Sequence, residues 1–150
     1  MSRLPLRRLL PLAVAAVLSS CAGDGNPFEP LPGGLSLPVT LETTVDAPSG
    51  ALPRFAVVTI AGGAQVEWDV ASAPCLVAEA SALLAGSVIE VRIHRSGNPL
   101  ADCVAGTVAY HYVARVMAPA PGLYEVRLVD DMPGQPMRPV GRATVTVPSI

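Results

Sequence analysis

The sequence contains no lysine, and among its 150 residues there are only two His, three Cys, one Trp and two Phe. Ten Arg face twelve Asp and Glu, a formal charge of −2. That balance lacks the basic excess of a nucleic-acid-binding surface. So few His and Cys leave a multi-ligand zinc centre almost no donors. Charged residues make up 15% and hydrophobic residues 51%, too apolar for a chain that stays unfolded. Abundance lies elsewhere, in 16 Pro and 13 Gly. Turn formers at that density argue against a helical bundle. The length is that of a single domain.

Residues 1–20 have the order of an export signal. Arg3, Arg7 and Arg8 form a positive start, and Leu9 to Leu18 is an apolar run of ten residues broken only by Pro11. Crossing a bilayer core takes ~20 apolar residues, so this run suits a cleaved signal peptide rather than a span. Ser19, Ser20 and Cys21 follow. Residues 22–38 hold Pro27, Pro30, Pro32 and Pro38 among Gly23, Gly25, Gly33 and Gly34, and show no hydrophobic period. With Cys21 they read as a tether over 21–38.

From 39 to 150 the chain alternates as strands do. Val39, Leu41, Thr43 and Val45 form one such series. Val66, Trp68 and Val70 form a second, and Ile89, Val91 and Ile93 a third. Val108, Tyr110, Tyr112 and Ala114 continue it, followed by Tyr124, Val126 and Leu128, then Ala143, Val145 and Val147. Phe55 to Ala61 is a continuous apolar run closed by Gly62-Gly63. Further turns fall at 48–53, Gly97-Asn98-Pro99, Pro119 to Gly122 and Pro133-Gly134. Leu76 to Leu84 has helix-forming composition in a strand setting, and we read it as a strand. The expected fold is all-β, an antiparallel β-sandwich of seven or eight strands.

Two resemblances sharpen this expectation. Leu18-Ser19-Ser20-Cys21, placed after a basic start and an apolar run, resembles the lipobox of bacterial lipoproteins. The resemblance implies cleavage before Cys21, acylation of Cys21 (diacylglycerol and a fatty acid such as palmitate), and membrane attachment through that lipid. Ala22 in place of Asp implies the outer membrane of a Gram-negative cell envelope. Loss of three Arg would leave seven against twelve acids, about −5, so the body of the protein would not itself attract anionic lipid. Lipidation also leaves Cys75 and Cys103 as a pair, and an oxidising compartment makes one disulfide between them the expectation, closing ~28 residues. The second resemblance is Pro121-Gly122-Leu123-Tyr124-Glu125-Val126, which is similar to the start of a late strand in immunoglobulin-like domains. It implies a tyrosine corner at Tyr124. Val126 stands where an immunoglobulin has Cys, and Trp68 precedes both cysteines, so the expectation is an immunoglobulin-like sandwich and not a true immunoglobulin domain.

Chemistry is sparse. No G-x-S-x-G elbow and no H-E-x-x-H pair occurs. His94 and His111 take the polar side of their strands, and with Glu90 they would form a metal site only if the strands were neighbours. Asp130-Asp131 before Met132-Pro133-Gly134 reads as a turn. Trp68 and Tyr110 are core candidates, with a carbohydrate- or ligand-binding groove as the alternative. The expectation is therefore a lipid-anchored, non-enzymatic binding or structural domain without cofactor or catalytic residue. It would meet an envelope protein partner and no nucleic acid. A metal-dependent enzyme using His94 and His111 is the more distant alternative.

Overall fold

Among the described residues the chain forms nine strands, eight of them from the alternating segments. A computed structural model describes residues 33–46, 54–98, 102–103 and 105–149. The signal peptide, Cys21, most of the tether and the 48–53 turn lie outside the described residues. The strands are β1 Leu35–Ser36, β2 Val39–Asp46, β3 Phe55–Ile60, β4 Gly63–Ser72, β5 Leu76–Ala85, β6 Val88–Gly97, β7 Val108–Met117, β8 Gly122–Asp131 and β9 Arg138–Val147. One sheet runs β1-β5-β6-β8-β9 and the other β2-β7-β4-β3. Residues 76–84 are strand, as their setting indicated.

Two features differ from expectation. The count is nine rather than seven or eight, because β1 forms inside the stretch read as a tether. It pairs Leu35 with Leu84 and Ser36 with Leu83, and Leu37 beyond it is buried. The sandwich is also not antiparallel throughout, since β6 and β8 pair in parallel, Val88 to His94 against Glu125 to Asp131. Between them the chain crosses to the other sheet as β7, so no hairpin constrains their direction.

The core is the inward parity of both sheets. Trp68, Tyr110, Tyr112, Ile89, Ile93, Val126 and Leu128 are among its buried side chains. Trp68 and Tyr112 rings lie 5.5 Å apart, and Tyr110 stacks on Tyr112 at 5.7 Å. These are ordinary favourable aromatic separations. Gly62, at φ +70°, makes the β3–β4 turn. At Gly141 the need is space: a Cβ there would come within 2.5 Å of the Phe55 ring. That contact closes the β3 and β9 edges against each other.

The tyrosine corner is present. Tyr124 is 7% exposed, and its hydroxyl donates to the Ala120 carbonyl at 2.9 Å. Pro119 and Pro121 have no N–H to offer that turn, so a side chain supplies the bond. Tyr124→Phe should therefore cost about 1 kcal/mol in a denaturant titration, the net value of one hydrogen bond. An unchanged midpoint would show that the bond contributes nothing.

Candidate functional site

Among the described residues three charged side chains are buried, Glu90, Arg95 and Asp130, and two of them meet at one end of the sandwich. Along β6, Ile89, Val91 and Ile93 point inward, and the next inward position is Arg95. Along β8, Tyr124, Val126 and Leu128 point inward, and the next is Asp130. Parity thus brings two opposite charges into the same layer, on neighbouring strands. Their side chains are 3% and 4% exposed. Arg95 Nε donates to Asp130 Oδ1 at 2.7 Å and Nη2 to Oδ2 at 2.6 Å, a forked pair. Burial opposes the Arg95 charge, but the hydrogen bonds and charge of Asp130 outweigh it and raise the guanidinium's pKa. The guanidinium also lies 5.1 Å over the Trp68 ring.

A third charge arrives through a β-bulge. Leu128 pairs with Gly141 but Val129 pairs with Pro139, so Val140 is an extra residue in β9. The extra residue reverses the parity of β9, and Arg138 comes opposite Asp130. Arg138 Nη2 donates to Asp130 Oδ2 at 3.1 Å while 61% of its side chain stays exposed. These groups line a hollow of about 240 Å³ with Val70, Ala71 and Gln135.

Beneath it, the buried Tyr112 hydroxyl is the remaining side-chain partner of the Arg95 guanidinium. Burial pushes the Tyr112 phenol up to about 12, with the Arg95 charge working the other way. The folded state then holds this proton above pH 10, where an unfolded tyrosine releases it. Stability should fall as pH rises from about 10 to 12, by ~1.4 kcal/mol per unit where the proton counts differ by one. Tyr112→Phe should flatten that slope in urea titrations across the window, and an equally steep mutant would count against it.

The sequence-based candidates are distributed differently. His94 is outward on β6, 3.2 Å from Asp131, and His111 is outward on β7, bonded to Asp69. The two strands belong to different sheets, so the imidazoles occupy opposite outer faces, and the His94–His111–Glu90 set is not assembled. Among the described residues no group of three or more His, Cys, Asp or Glu could hold a metal. Trp68 and Tyr110 are 2% and 1% exposed and line no groove. The Tyr110 hydroxyl instead donates to the Ala73 carbonyl and accepts from the Leu76 N–H, tying down the β4–β5 link.

On that link Cys75 takes φ +64°, a left-handed conformation uncommon outside glycine. Its neighbour is Cys103. The Cys75 thiol is pushed up, first by its hydrogen bond with Cys103, then by burial, then by the charges of Cys103 and Asp102. Asp130, read as part of a turn, is instead the centre of the buried cluster. Its signal was present in the sequence: a charged residue on inward parity at the end of each of two apolar series, Arg95 after Ile93 and Asp130 after Leu128. Comparison with protein-family models, curated proteins and solved structures finds no match.

Proposed function

We propose that this is a lipid-anchored protein of the bacterial cell envelope, attached at the outer membrane through Cys21. Its immunoglobulin-like sandwich would serve as a non-enzymatic binding or structural module. The observation that carries the reading is the order of basic start, apolar run and Leu18-Ser19-Ser20-Cys21. The fold is compatible with it. The chain enters the sandwich at β1, beside the β5–β6 turn, and the charged hollow is at the opposite end of the same strands. From Ile89, level with β1, to Arg95 is six residues, which at ~3.3 Å each would set that hollow roughly 20 Å from the tethered end. In an oxidising compartment Cys75 and Cys103 would be joined in one disulfide.

Cys21→Ala should release the mature protein from membranes almost completely, because the apolar segments among its described residues are strands of the sandwich. Fractionation decides this, and mass spectrometry of the wild-type protein reads both the N-terminal acyl groups and the loss of two hydrogens at Cys75 and Cys103. A variant that stays in the membrane pellet, or an unmodified Cys21, would end the lipoprotein reading. Two alkylatable thiols in the unreduced protein would end the disulfide.

A further inference from the structure

The hollow above Arg95 is larger than its ion pairs require. At ~30 Å³ per water, 240 Å³ has room for roughly eight water-sized groups. Its charged lining is two guanidiniums and one carboxylate, Arg95, Arg138 and Asp130, so one positive charge is in formal excess. The next acid along the chain, Asp131, turns outward to His94 and does not neutralise it.

The two arginines are held differently. Arg95 is fixed by both oxygens of Asp130, by Met132 Sδ, by the Tyr112 hydroxyl and by the Trp68 ring. Arg138 is largely solvent-exposed and makes one 3.1 Å bond to the same carboxylate, so it can turn away at little loss. Gln135 adds a neutral amide to the lining.

We propose that this hollow is a binding site for a small organic monocarboxylate. Arg138 is the charged arm that takes the carboxylate in its fork, Gln135 is a neutral donor, and Arg95 is the fixed positive charge below. A planar two-oxygen anion matches the guanidinium fork. A single negative charge matches the single excess positive charge, whereas a dianion overshoots it. The inference goes beyond the envelope reading and does not need the lipid anchor.

The chain carries one tryptophan, Trp68, and Arg95 lies over its ring, so intrinsic fluorescence reports on the site. The full chain, purified in detergent, is titrated with acetate, with acetamide and with inorganic phosphate at constant ionic strength. A saturable change with acetate, none with acetamide and a weaker one with phosphate are expected. Arg138→Gln should weaken acetate binding about tenfold or more, the loss of one charged hydrogen-bond pair. Arg138→Lys should recover part of it, and unchanged far-ultraviolet circular dichroism checks that both variants fold. The proposal is overturned by no saturable response to acetate, by an equal response to acetamide, by phosphate binding more tightly, or by Arg138→Gln binding as the wild type does. Because no arm uses the membrane, failure here leaves the Cys21 test untouched.

Discussion

Asp130→Ala is expected to destabilise the protein by about 3–5 kcal/mol, the usual cost of stripping one partner from a buried ion pair. The size follows from what is left behind. Arg95 is 3% exposed, and the only opening toward it among the described residues is the hollow that Arg138 and Asp130 also line. Its guanidinium cannot be neutralised, so burial would be borne with the charge in place. The two short bonds to Asp130 would vanish together with the anchor of Arg138. The contrast that isolates the cause is the double replacement Arg95→Met with Asp130→Leu. Removing both charges should cost far less than removing one, and replacing such pairs by apolar residues is often neutral or stabilising by ~1–4 kcal/mol. Urea denaturation of the two variants decides the matter. A single variant costing under about 1 kcal/mol, or a double variant as unstable as the single, would mean that Arg95 finds water or another partner.

Trp68→Ala should cost a similar ~3–5 kcal/mol, as large aromatic truncations in packed cores do. Trp68 is 2% exposed, faces Tyr112 at 5.5 Å and pairs across the strands with Phe55. Its removal opens a void between two sheets that cannot both close over it. It also takes away the surface on which Arg95 rests, and Trp68→Phe should separate the two losses. Phe keeps a ring but gives a weaker cation–π contact, itself worth ~0.5–2 kcal/mol with Trp. Circular dichroism is the readout, since the only tryptophan is gone. A cost for Trp68→Ala below about 2 kcal/mol would show that the core collapses around the gap.

Strand parity was legible because a half-buried strand has a period of two, and every inward aromatic from Trp68 to Tyr124 followed it. The tyrosine corner was legible because two prolines remove the donors of a turn. Sheet membership was not legible. Nothing local in Ile89 to Ile93 or in Tyr124 to Leu128 says that these strands lie side by side, or in parallel. That depends on β7 leaving for the other sheet. The first strand escaped notice because two residues pairing through the main chain leave no side-chain pattern. The buried charges were half legible. Arg95 and Asp130 sit on inward parity, but a charge at the end of a series also looks like the exit of a strand into solvent. Arg138 could not have been placed at all, since its direction is set by one extra residue in β9 whose presence only the pairing reveals.

The parallel β6–β8 pair bears on how the chain reaches its fold. The β3–β4, β5–β6 and β8–β9 hairpins can close locally, on the microsecond scale of isolated hairpins. The strands that join two of those hairpins in the middle of a sheet cannot. Their pairing joins Val88 to Glu125 across the whole of β7, so it closes a longer loop, at greater entropic cost, than any of those hairpins. Such non-local β topologies fold in milliseconds to seconds, far behind their own hairpins. Until then the edges of β6 and β8 stand open, and the interval before they meet is when the chain is most exposed to pairing with another copy of itself.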